Sequence, residues 1–215
     1  MFKKDPLLKL DKSPHSPHNI IPSLIKKRNA LILDVGCNNG LIGKEIIRMK
    51  NAIMDGIDIN INALEIAKKD YRKVFQRDLY QDKLEIDEEK YDYIIFSDIL
   101  EHLPRPDILL KNSRKYLKEN GQIIISLPNI ARFEIRLDLM LGNFDYKPGI
   151  LSEDHLRFFT RESAQRIIED CGYKVINTVP TGLGHKLKIF PKLTAFQFIY
   201  ICKKYESPCY RTMLC

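Results

Sequence analysis

Residues 33–40 read LDVGCNNG, and this stretch decides the fold. Just upstream lies ALIL, residues 30–33, a short apolar run of the kind that forms a strand buried on both faces. Just downstream, Ile42, Ile46 and Ile47 recur at helical spacing, with Lys44, Glu45 and Arg48 opposite. A strand therefore enters a glycine turn and leaves it as a helix. Gly36 and Gly40 let the backbone turn tightly and approach a ligand with no Cβ in the way. The helix from Leu41 offers unpaired N–H groups and the positive end of its dipole to an anionic group.

Outward from the turn, the alternation repeats. AIMDGIDI (52–59) is a second strand and NALEIAKKD (62–70) a second helix. KVFQRDL and YDYIIFSDIL are further strands. Residues 106–118 predict a helix with Pro106 at its start and Asn120-Gly121 as its stop. QIIISLP follows as a strand, then a helix capped by Thr160 and ended by Gly172. YKVINTV and AFQFIYICK are late strands. Such alternation predicts an α/β fold with a mostly parallel, doubly wound sheet. Near the start, Ile20, Ile21, Leu24 and Ile25 predict a short helix with Pro22 in its first turn. The domain reading is an irregular basic arm at 1–18, one α/β domain at 19–203 and a tail at 204–215. Within the domain, residues 129–159 are too long for a bare connector and read as a substrate-covering insertion.

Composition excludes several classes. At 215 residues and 44% hydrophobic, the chain suits one globular domain and needs no disulfide framework. No apolar run approaches the roughly 20 residues of a bilayer span, and the first residues lack a secretory h-region. Cys37, Cys171, Cys202, Cys209 and Cys215 are odd in number and show no CxxC spacing, which fits a reducing, cytoplasmic setting. The net charge is +7, of which residues 1–30 carry +5. A solvated arm is the first reading of that charge; contact with nucleic acid or anionic lipid is the second.

The candidate site follows the strand ends. Asp58 stands eighteen residues after Gly40, where a carboxylate can accept from ribose hydroxyls. Asp78 follows twenty residues later, where it can accept from an adenine amine with Leu79 packed on the ring. Each could equally cap a helix or turn, but their joint placement at successive strand ends points to a nucleoside-type ligand. A dinucleotide fits less well, because D-V-G-C-N-N-G lacks the glycines of G-x-G-x-x-G.

LDVGCNNG, GIDIN, QRDL, YDYIIFSDILEHLPRPDILL and NGQIIISLPN, in that order, resemble the motifs of class I S-adenosylmethionine-dependent methyltransferases over roughly residues 19–180. The later LPNIARFEIRLDLMLGNFDY…GILSEDHLRFFT is similar to a bacterial subgroup near the ubiquinone-biosynthesis O-methyltransferases and glycan-associated methyltransferases. The resemblance implies a Rossmann-like, seven-stranded sheet of order 3-2-1-4-5-7-6 with the last strand antiparallel. It implies S-adenosyl-L-methionine as cofactor. Asp34, Gly36, Cys37 and Gly40 would meet the methionyl end, Asp58 with Ile59 the ribose, and Asp78 with Leu79 the adenine. Ser97 and Asp98 would line the methionyl side toward the acceptor. The family usually has glycine where this chain has Asn38, the residue that best tolerates the same left-handed backbone.

Asp98, Glu101 and His102 fall three and four apart, so they can share one face and offer ligands to a divalent ion. Related quinone-precursor and small-RNA O-methyltransferases carry E-x-x-E-H there. Capping of the turn is the preferred reading over metal. His155 in the insertion suits removal of a proton from an acceptor hydroxyl, or serves as a surface or lid-anchoring histidine. Arg132, Arg136 and Arg157 could grip an anionic substrate or pair with Glu134, Asp138 and Asp154. The expected activity is methyl transfer to a small-molecule acceptor, at a hydroxyl of a sugar, glycan precursor or quinone-like compound. RNA methylation through the basic arm and non-catalytic cofactor binding are the alternatives.

Overall fold

The computed structural model describes residue 7 and residues 13–81, 84–86, 90–187 and 189–205. Seven strands form one sheet: β1 (Leu31–Val35), β2 (Ile53–Asp58), β3 (Lys73–Gln76), β4 (Tyr91–Ser97), β5 (Leu117–Pro128), β6 (Tyr173–Pro180) and β7 (Gln197–Lys204). Their order is β3-β2-β1-β4-β5-β7-β6, as the resemblance implied. β7 runs antiparallel to both its neighbours, and the other pairs are parallel.

Strand alternation divides the core between two faces. Ile94, Phe96, Ile123 and Ile125 point to the face packed by Leu109, Leu110, Ala164 and Ile168. Those four belong to α4 (Pro106–Ser113) and α6 (Arg161–Asp170). Tyr93, Ile95 and Ile124 point to the opposite face, with Ile20, Ile21, Ile42, Ile46 and Leu64. These come from α1 (Pro17–Leu24), α2 (Leu41–Lys50) and α3 (Ile61–Ala67). Burial on both sides is why β1, β4 and the later half of β5 read as apolar runs. Register then aligns the strand ends: Val35 pairs with Ile57 and Phe96, Ser97 with Ser126, and Pro128 with Gln197.

Two expectations need correction. α1 begins at Pro17, inside the span read as irregular arm, so Pro22 is an interior residue that costs one ladder bond. The helix expected to 118 ends at Ser113; one 3-10 turn, Arg114–Tyr116, leads directly into β5. Asn120 and Gly121 are therefore inside a strand, where the β4–β5 register shifts. A Cβ on Gly121 would stand 2.7 Å from the Leu117 side chain, so this glycine answers crowding within the strand. In the insertion, α5 (Phe133–Met140) buries Ile135 but leaves Leu137, Leu139 and Met140 exposed. Leu137 stands about 200° around the helix from Ile135, so it cannot join the face that Ile135 buries. The expected α6 cap is present in full: Thr160 and Ser163 form a reciprocal capping box. Lys3, Lys4, Lys9 and Lys12, Cys209 and Cys215, and the tail from 206 lie outside the described residues. No helix among the described residues is long and apolar enough to cross a membrane.

Candidate active site

The glycine turn sits at the carboxyl end of β1. Gly36 and Gly40 both have φ of 77°, and Asn38 takes the left-handed conformation expected of it, φ 45°. The Gly36 and Cys37 amides donate to the Ile57 carbonyl at 2.8 and 3.0 Å, which ties the turn to β2. A Cβ on Gly36 would stand 2.8 Å from Ile99, so the residues after β4 press directly on the turn.

Asp58 is buried beside this turn. Its Oδ2 accepts from the Asn38 amide at 2.7 Å and its Oδ1 from the Asn60 amide at 2.8 Å. The carboxylate thus joins the turn to the start of α3. Ile59 is half exposed at the rim. Asp78 accepts from the Tyr80 amide at 3.0 Å and caps a 3-10 turn, Leu79–Gln81. Leu79 is buried in the core below. Asp34 is buried and accepts from the Tyr71 hydroxyl at 2.6 Å. Burial, opposed by that hydrogen bond and helped by nearby Asp58, pushes its carboxyl up to about 6. Cys37 is buried, and desolvation raises its thiol well above the usual range, so it is no nucleophile.

Beyond β4, the sequence grouping of Asp98 with Glu101 and His102 does not hold. Asp98 has a left-handed φ of 53°, which turns the chain sharply after Ser97. Its Oδ1 accepts from Ser126 Oγ at 2.8 Å and Gln197 Nε2 at 2.5 Å. Those donors draw the carboxylate toward β5 and β7. Glu101 and His102 lie in a 3-10 turn, Leu100–His102, and their third member is His155. One ligand-capable atom from each lies within 4.8 Å of the other two. Both Glu101 carboxylate oxygens are buried, and neither has a hydrogen-bond partner among the described residues. Burial, with Asp98 and Asp154 nearby, holds this carboxyl well above the usual range.

The insertion brings His155 there by backbone bonds. The Leu156 and Arg157 amides donate to the Glu101 carbonyl at 2.8 and 2.9 Å. His155 Nδ1 lies 2.9 Å from the Ile150 carbonyl, and its ring meets His102 edge-on at 4.7 Å between centroids. Because a carbonyl only accepts, Nδ1 carries the proton and Nε2 holds the lone pair. Burial lowers the imidazole below its ordinary value of 6.5. His102 Nδ1 contacts the Asp154 carbonyl at 3.2 Å. The arginines are engaged elsewhere. Arg132 pairs with Glu134, Arg136 Nε donates to the Ala131 carbonyl at 2.8 Å, and Arg157 Nε donates to the Pro104 carbonyl at 3.2 Å. Asp138 pairs with Lys147 instead.

A family model described as methyltransferase domain matches residues 16–178. The chain belongs to that methyltransferase family. The chain is 32% identical over 107 residues to a ubiquinone biosynthesis O-methyltransferase from Histophilus somni, covering 46% of this chain and 44% of that protein. A Coxiella burnetii protein of the same name is 28% identical over 165 residues, covering 73% and 68%. The chain spans less than half the length of several such relatives it matches. A solved S-adenosylmethionine-dependent methyltransferase from Clostridium acetobutylicum superposes with a TM-score of 0.64 at 16% identity, covering 92% and 93%. A Burkholderia thailandensis N1-methyltransferase, solved with S-adenosylhomocysteine, gives 0.64 at 14% identity, covering 91% and 80%. These likenesses match the fold to methyltransferases.

Gln197, Ser126 and Tyr71 are the residues that sequence reasoning passed over. Gln197 carried a weak signal, a lone amide in the apolar run AFQFIYIC. Tyr71 in KKDYRK carried none.

Proposed function

We propose that this chain transfers a methyl group from S-adenosyl-L-methionine to a hydroxyl of a small molecule, a sugar, glycan precursor or quinone-like compound. The observation that carries the oxygen acceptor is the fixed tautomer of His155, with its free nitrogen beside the strand ends. The donor set fits the cofactor. Carboxylates at the ends of β2 and β3 suit ribose hydroxyls and an adenine amine, and the glycine turn admits close backbone approach. Asp58 would accept from the ribose, with Ile59 packed alongside, Asp78 and Leu79 would meet adenine, and Asp34, Gly36, Cys37 and Gly40 would meet the methionyl end. Ser97 and Asp98 would face the junction of cofactor and acceptor.

S-adenosylmethionine supplies the methyl group from its sulfonium, leaving a neutral thioether. Neutral His155 accepts the hydroxyl proton at Nε2 as the oxygen attacks. The Ile150 carbonyl keeps the ring oriented and holds the Nδ1 proton in place. The insertion orients the acceptor and excludes water above the turn. The curated relatives named O-methyltransferases support the same acceptor atom.

One observation favours a second role for the same cluster. The unpartnered Glu101 carboxylate, with His102 and His155, would suit a divalent cation, which would supply positive charge to the acceptor oxygen. Transfer of labelled methyl to a panel of sugars, catechols and RNA tests the proposal. Methylation of RNA alone, with steep salt dependence, would overturn it. Full activity in excess chelator leaves His155 to act without metal; loss of activity restored by magnesium or zinc assigns the cluster to metal.

A further inference from the structure

Tyr71 lies between α3 and β3, outside every motif of the sequence, yet the cofactor turn is built around it. Its amide donates to the Ala67 carbonyl at 2.9 Å, and its ring is buried beneath the turn. Glycines from three places shape the slot. A Cβ on Gly56 of β2 would stand 2.7 Å from the ring, and one on Gly40 of the turn 3.1 Å from it. A Cβ on Gly43 of α2 would fall on the phenol oxygen itself. At the end of the slot the hydroxyl donates to Asp34 Oδ2 at 2.6 Å, two residues before Gly36. Among the described residues, the titratable groups that face Asp34 are Tyr71, Asp58 and Cys37, and none of them is a cation.

A buried carboxylate with no opposing charge is costly unless a donor holds it or a cation arrives. We propose that Tyr71 is a positioning residue of the cofactor site, propping the turn from below and holding Asp34 as an anionic floor for the cationic end of S-adenosylmethionine. The inference rests on the S-adenosylmethionine reading. S-adenosylmethionine carries one more positive charge than S-adenosylhomocysteine, so the floor favours substrate cofactor over product cofactor. Burial already lifts Asp34 to about 6, so its hydrogen bond decides how much of it is ionised near neutral pH.

Calorimetry of S-adenosylmethionine and S-adenosylhomocysteine from pH 5 to 8 tests this with wild type, Tyr71→Phe and Asp34→Asn. Wild type should bind both, with the preference for S-adenosylmethionine rising with pH as Asp34 ionises. Tyr71→Phe should weaken S-adenosylmethionine about 10- to 150-fold, the range of one hydrogen bond to a charged group. It should also move the pH midpoint upward, because the carboxylate loses its donor. Asp34→Asn should flatten the profile. A merely structural tyrosine would leave the midpoint in place. Unchanged affinity and midpoint in folded Tyr71→Phe overturn the proposal. If that variant does not fold, a pH-dependent preference surviving in Asp34→Asn overturns it. Failure of wild type to bind either compound overturns the cofactor reading as well, which separates the two outcomes.

Discussion

Asp58→Ala removes a carboxylate to which two kinds of stabilisation are assigned, and they can be measured apart. In the protein alone it accepts the Asn38 and Asn60 amides at 2.7 and 2.8 Å. A hydrogen bond to a charged group contributes about 1.5–3 kcal/mol. Asn60 also caps α3 with its own side chain, so that end keeps a partner pair. The Asn38 side is buried, and most of the loss falls there. A destabilisation of roughly 2–4 kcal/mol follows, or about 4–16 °C in Tm for a domain of this size. Ribose hydroxyls would use the remaining lone pairs of the same oxygens. Their loss should weaken S-adenosylhomocysteine by about 1.5–3 kcal/mol, roughly 10- to 150-fold in Kd. Calorimetry at 15 °C, with the folded fraction taken from circular dichroism, reads the second effect without the first. A folded Asp58→Ala protein that binds S-adenosylhomocysteine within twofold of wild type would falsify the ribose assignment, whatever its Tm.

His155→Ala should lower kcat by about 10²–10⁴ on an accepted substrate, while calorimetry finds cofactor affinity near wild type. The acid limb of the wild-type pH–rate profile should lie below pH 6.5, because burial lowers this imidazole and activity is lost only as it protonates. Glu101 has a raised carboxyl, so the native state holds its proton after the unfolded chain has released it. Stability should therefore fall as pH rises above 4.5, and Glu101→Gln should raise Tm at pH 8, a shift that calorimetric scanning would show to be absent if the carboxylate is compensated. Thr160→Ala breaks a capping box and should cost about 1 kcal/mol in urea unfolding; a cost below a few tenths would mean that α6 is held by packing alone.

The sheet was legible because its central strands β1, β4 and β5 are buried on both faces along their apolar runs, whereas β3 and β6 at the edges are only partly covered. The placement of Asp34, the glycine turn and Asp58 at the strand ends was legible for a related reason. Parallel strands in register bring their carboxyl ends to one edge, so a residue just past a strand locates itself. The errors come from signals with two physical meanings. Asn120-Gly121 stops helices, but glycine also relieves crowding inside a strand, and Gly121 faces the Leu117 side chain there. Asp98 was grouped with Glu101 and His102 by helical spacing, which assumes right-handed backbone angles. One left-handed residue turned its carboxylate to Gln197, nearly a hundred residues away. His155 reaches Glu101 only through long-range backbone bonds from Leu156 and Arg157, and no local periodicity encodes those.

The placement of β7 has a consequence for how the protein is made. In the sheet β6 touches only β7, and β7 separates it from β5. Pairs such as Ile124 with Ile201 join residues almost eighty positions apart. A ribosome delivers β6 first, so that strand emerges with no neighbour, while β5 waits with one side unpaired. The open interval lasts on the order of seconds at about 5–20 residues per second. During it, the nascent chain displays two strand edges able to pair with a stranger. The final strand acts as a keystone: the arch behind it is complete in sequence long before it can bear weight.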